Sequence, residues 1–112
     1  MAKIDLSKRL LTFVEDHPTG WGHDAWLRLL ATLDSEGADV SDPEAIGLAL
    51  ERARLADALK KSSVQGLGPK RIQAVVDRFE NLWNLQHATV EEIADLPTVP
   101  AKLAQKVHSA VN

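Results

Sequence analysis

Residues 64–76 read VQGLGPKRIQAVV, and the order of residue types in this stretch decides how the whole chain is read. A short apolar entry reaches Gly66-Leu67-Gly68, and Pro69 then opens an amphipathic run with Lys70 and Arg71 in its first turn. Glycine permits backbone angles closed to other residues and lets a second molecule approach the main chain. Proline at the first helical position presets the helical dihedral and lacks only an N–H that would find no partner inside the helix. The amides at this helix start therefore point outward beside two cations, which makes an anion site suited to phosphate. The plainer alternative is a tight helix–helix turn in a packing or dimerisation module, with both cations solvated.

Working outward, Phe79 to Gln86 (FENLWNLQ), Ala88 to Leu96 (ATVEEIADL) and Pro97 to Val107 (PTVPAKLAQKV) continue the pattern. Laying the later segment over the earlier one at an offset of 32 residues places Thr98 on Gly66, Lys102 on Lys70, Gln105 on Gln73 and Val107 on Val75. An internal repeat of this kind supports a duplicated unit. The last half of the chain resembles the tandem helix-hairpin-helix family, known from the bacterial excision-repair nuclease subunit and from structure-specific DNA endonucleases. The resemblance implies a DNA-binding unit whose hairpins grip the phosphate backbone. Carried over residue by residue, it points to Gly66, Leu67, Gly68, Lys70 and Arg71 in the first hairpin and to Thr98, Val99 and Lys102 in the second.

The second hairpin departs from the family pattern, because Thr98 and Pro100 stand around Val99 where glycines are usual. Threonine resists a left-handed backbone and proline removes a donor amide. This hairpin is expected to keep the fold and to hold phosphate less well, with Lys102 and Lys106 as easily a solvated face. In the first hairpin, Gln65 stands where the family often has proline.

The pattern is helical throughout, and the chain reads as all-α. Leu6, Leu10, Phe13 and Val14 share a face of a first helix ending near Glu15, and the Gly- and Pro-containing run from His17 to Gly22 breaks it. A second helix is expected from Asp24 to Glu36, with Trp26, Leu29, Leu30 and Leu33 inward and Gly37 beyond its end. Ser41-Asp42-Pro43-Glu44 reads as a capping box that opens a long third helix to about Lys61, with Ile46, Leu50, Ala53 and Leu59 near helical spacing. The organisation expected is an acidic N-terminal helical segment, residues 1–58, joined by this long helix to a five-helix tandem hairpin unit, residues 59–112. Within that unit Asn81 caps a connector helix and Thr89 with Glu92 forms another capping box.

Of the 112 residues, 45% are hydrophobic and 26% charged, which suits a water-soluble globular chain. No apolar run approaches the roughly 18 residues of a membrane span. Lys8, Arg9, Glu15 and Asp16 interrupt any apolar core of a secretion signal. The absence of cysteine excludes a disulfide framework and thiolate metal sites, and it fits a cytoplasmic protein. Net charge is −3, yet residues 1–59 hold six Lys/Arg against eleven Asp/Glu, while residues 60–112 hold seven against five. Positive charge therefore lies with the hairpins, and DNA contact is expected to be local.

Enzyme signatures are missing: there is no nucleophile elbow, P-loop, HExxH or cysteine nucleophile. His17 and His23, beside Asp16 and Asp24, fit no familiar metal spacing, so no cofactor or metal is expected. Trp26 reads as core, whereas Trp21, between two glycines, either lies over the helices as a lid or stands exposed to a partner. The expectation is non-catalytic, sequence-independent DNA binding through the first hairpin. The alternative is a protein-protein adaptor or self-associating module with vestigial phosphate sites, its acidic N-terminal half facing protein.

Overall fold

A computed structural model describes residues 6–17 and 20–112. These residues form seven helices: α1 Leu6–Asp16, α2 His23–Ser35, α3 Pro43–Lys61, α4 Pro69–Phe79, α5 Leu82–Gln86, α6 Val90–Ala94 and α7 Ala101–Val111. No strand occurs among the described residues. Pro18 and Thr19, part of the expected break after α1, lie outside them.

Helix α3 organises the molecule because it carries two apolar faces in series. Ile46 and Leu50 lie one turn apart and belong to a cluster with Leu10, Val14, Leu29 and Leu33. Leu55 and Leu59, also one turn apart, belong to a second cluster with Val75, Val76, Phe79, Leu85, Ile93, Val99, Leu103 and Val107. At about 100° per residue, the five-residue step from Leu50 to Leu55 rotates the apolar face by roughly 140°. The front of α3 therefore meets α1 and α2, and its back meets the hairpin helices. Residue 58 falls inside α3, so the N-terminal segment and the hairpin unit share a continuous helix rather than a linker.

The helix ends follow the chemistry of their flanking residues, with one correction. Ser41 and Glu44 do not form the expected capping box. Asp42 is the N-cap and accepts from the Ala45 amide at 3.2 Å, while the Ser41 amide donates to Asp39 Oδ1 at 2.9 Å. That pairing holds the Asp39 carboxyl below its usual pKa, through hydrogen bonds from the Ser41 side chain and amide. Pro43 at the first helical position makes Asp42 the N-cap residue, so its carboxylate and not the Ser41 hydroxyl lies nearest the free amides. The Thr89–Glu92 capping box is present in both directions, and Asn81 caps α5 by accepting from Asn84. Helix α4 stops at Glu80, whose φ of 71° turns the chain so that the Asn81 amide donates to the Phe79 carbonyl at 2.8 Å.

Trp21 is half-buried over the N-terminal cluster, edge-on to Phe13 at 5.2 Å and beneath the Arg54 guanidinium at 5.6 Å. It is a lid on the core. Trp26 lies across α3 where Gly47 has no side chain, and a Cβ at position 47 would meet the ring at 3.7 Å, ordinary contact distance. Gly47→Ala is expected to raise stability by about 0.5–1 kcal/mol, because alanine favours a helix interior and displaces nothing here. Denaturant unfolding monitored by circular dichroism checks this.

Candidate nucleic-acid interface

The first hairpin consists of the back of α3, residues 62–68 and α4. Ser62 caps α3 and Ser63 turns the chain with a φ of 57°. The Leu67 amide donates to the Val64 carbonyl at 3.2 Å, Gly66 has a φ of 89°, and Gly68 is the extended N-cap of α4. The first helical bond at this end runs from Ile72 to Gly68, and no side chain caps it. The amides of Gly68, Lys70 and Arg71 are thus left without acceptors among the described residues, and the helix dipole adds to their pull on an anion.

The second hairpin, α6, residues 95–100 and α7, repeats this construction at the same offset of 32 residues. Val99 donates to Leu96 at 3.0 Å as Leu67 does to Val64, and Ala104 donates to Pro100 at 2.9 Å as Ile72 does to Gly68. The turn differs at Thr98, which stands for Gly66 but does not have a positive φ. Pro100 is the N-cap of α7 with a φ of −69°, an angle natural to proline. Its missing N–H matches the one that Pro69 lacks in α4, displaced by one position. Ala101, Lys102 and Leu103 still present free amides, so each helix start offers three.

The side chains singled out in the sequence have different surroundings. Lys70 and Lys102 are exposed and form no hydrogen bond or ion pair with the described residues. Leu67 is half-buried against the core, and Val99 is buried at 2% exposure with its amide already used. Arg71 points inward between the hairpins. Its Nε donates to the Thr98 carbonyl and its Nη1 to the Gly66 carbonyl, both at 2.7 Å. These two carbonyls occupy equivalent positions in the repeat, so one guanidinium ties the two loops together. Leu103, the counterpart of Arg71, packs toward Gly66.

A second brace sets α4 against α3. Asp77 accepts from Arg52 at 2.5 Å and from Gln73 at 2.8 Å. The Gln73 hydrogen bond, and then Arg52, hold the Asp77 carboxyl below its usual pKa. A lowered carboxyl pKa adds stability above the ordinary carboxylate range, and that stability is lost as pH falls through the lowered value. The brace therefore weakens only in acid.

Other candidates resolve into structural roles. His17 is held to the Phe13 carbonyl at 2.8 Å and its ring lies 4.2 Å from that of Phe13. No group of three or more potential metal ligands occurs among the described residues. No helix among them is long and apolar enough to cross a membrane. Sequence reading did not single out Trp83, which is 64% exposed on α5 and stacks on His87 at 3.9 Å. The i, i+4 spacing of this pair on a short helix was the available signal.

Two hairpins of matching construction, joined by a connector helix and tied by Arg71, define a tandem helix-hairpin-helix unit. Residues 58–112 match the family described as SAM-like helix-hairpin-helix tandem, and this part of the chain is such a unit. The chain is 42% identical over 76 residues to UvrABC system protein C of Aliivibrio fischeri, which covers 65% of this chain and 12% of that protein. It is 38% identical over 60 residues to the protein of that name from Proteus mirabilis, covering 54% and 10%, and 43% identical over 53 residues to that from Corynebacterium jeikeium, covering 47% and 8%. The chain thus spans about a tenth of the length of these relatives. No solved structure is significantly similar to it.

Proposed function

We propose that this protein binds DNA without catalysing a reaction on it, gripping the phosphate backbone through the tandem hairpin unit, with the first hairpin dominant. The observation that carries the reading is the start of α4, where three free amides, an exposed Lys70 and the left-handed Gly66 turn stand together. The similarity to UvrABC system protein C over this segment supports it, and supports a place in DNA repair or recombination. Amides and lysines address phosphates, which position a protein but carry no base identity, so binding is sequence-independent. Lys70 supplies the charge at this site, and Arg71 holds the loops.

A salt-titrated binding assay on duplex, single-stranded and branched DNA tests the reading. Two to four phosphate contacts give a slope of log K against log salt of about −2 to −4. Base sequence should make almost no difference. Absence of binding to every one of these DNAs at low salt would refute the reading.

One observation favours a second role for the acidic half. Leu27 and Leu48 are 48% and 58% exposed, and Leu48 borders a surface groove that also contains Trp21, Trp26 and the carboxylates Glu44 and Glu51. An apolar surface rimmed by acids suits a protein partner or a second copy of the chain better than DNA. Sedimentation of the free protein across a concentration series separates a self-associating adaptor from a monomeric DNA binder.

A further inference from the structure

We infer that a groove between the first hairpin loop and the outer face of α7 is a second DNA-backbone site, one that takes a single strand continuing past the start of α4. The inference rests on the DNA-binding reading and extends it from Lys102, which the hairpin pattern includes, to Ser63, Gln65, Gln105, Lys106 and Ser109, which it does not. The groove is lined by Ser63 and Gln65 from the loop and by Lys102, Gln105, Lys106 and Ser109 from α7. No carboxylate lines it, and of its lining residues only Val64 and Ala110 have apolar side chains.

Three features of the groove suit a phosphodiester strand. Lys102 and Lys106 are exposed, with no ion-pair partner among the described residues, so both charges are available to phosphate. They lie one helical turn apart, about 6 Å along the axis, which is comparable to the spacing of neighbouring phosphates on one strand. Hydroxyl and amide groups from Ser63, Gln65, Gln105 and Ser109 surround them and can donate to phosphate oxygens without adding charge. The lining holds no aromatic ring, so the groove follows backbone and does not stack bases. The loop wall of the groove ends at Gln65, next to Gly66, so a strand held at the α4 amides has a continuous route onto α7.

The test uses the full chain and a single-stranded oligonucleotide in a salt titration, comparing the parent with Lys102→Ala/Lys106→Ala, Lys102→Arg/Lys106→Arg and Lys70→Ala. Both lysines are exposed, so thermal unfolding of the alanine variant should match that of the parent. The alanine pair should flatten the salt slope by about 2, Lys70→Ala should flatten it by about 1, and the arginine pair should retain the parent slope. A parent slope in the folded alanine variant would overturn the groove while leaving the hairpin reading intact. Failure of the parent to bind any DNA would overturn both.

Discussion

Gly66→Val is expected to destabilise the protein and remove most DNA binding, whereas Gly68→Val should remove binding from a protein that stays folded. The two glycines look alike in sequence, but their backbones differ. Gly66 has a φ of 89°, a region that a β-branched residue enters only with strain of about 1–3 kcal/mol. A Cβ there would lie 3.8 Å from Leu103 Cδ1, an ordinary contact, so the loss comes from the backbone and not from crowding. Gly68 is extended, with φ −80° and ψ 178°, and nothing lies within 4 Å of a Cβ at that position. Valine fits there at less than about 1 kcal/mol, the ordinary difference between glycine and valine as an N-cap. Its methyl groups would stand where phosphate must approach the Lys70 and Arg71 amides. Thermal unfolding and salt-titrated binding of the two variants, run side by side, separate the effects. Parent-like affinity in folded Gly68→Val would show that the α4 start is not the phosphate site.

Arg71→Ala should lose about 1–2 kcal/mol of stability, because two charge-assisted hydrogen bonds to carbonyls disappear from a partly exposed site. DNA affinity should fall with it, since the Gly66 and Thr98 loops are no longer held in register. Arg71→Lys should restore little of either property, as an ammonium cannot reproduce the planar fork that reaches two carbonyls at once. Chemical denaturation gives the stability change, and binding of both variants at a fixed salt concentration gives the functional one. Full rescue by lysine in both measurements would make Arg71 a simple charge.

Much of the hairpin unit was legible because its signals are local. Gly66, Pro69, the Thr89–Glu92 box and the Asn81 cap each act within a few residues, and each element they mark is present. Where several polar groups competed for the same amides, local reading failed. Ser41-Asp42-Pro43-Glu44 admits two caps, and the geometry after Pro43 selects Asp42. Long-range geometry was hidden for a different reason. A search for one continuous apolar face along α3 picks out Ile46, Leu50, Ala53 and Leu59, and passes over Leu55, which is wholly buried because the helix changes partners midway.

The second hairpin shows the same division. Thr98 and Pro100 look disabling against a glycine pattern, yet Pro100 takes an N-cap angle natural to it and Thr98 avoids a positive φ. The α7 start consequently keeps as many free amides as α4. Sequence alone determined the helical class, the duplicated hairpins, the cap at Asn81 and the concentration of positive charge in the second half, since these depend on backbone chemistry and residue order over short distances. Tertiary structure decided that Arg71 joins the Gly66 loop to the Thr98 carbonyl, 27 residues from Arg71 in sequence, that Lys102 and Lys106 face the first hairpin loop, and that Trp21 lies under Arg54. Those outcomes depend on which helix faces meet, and that is set by the packing of both apolar clusters against one rotating helix.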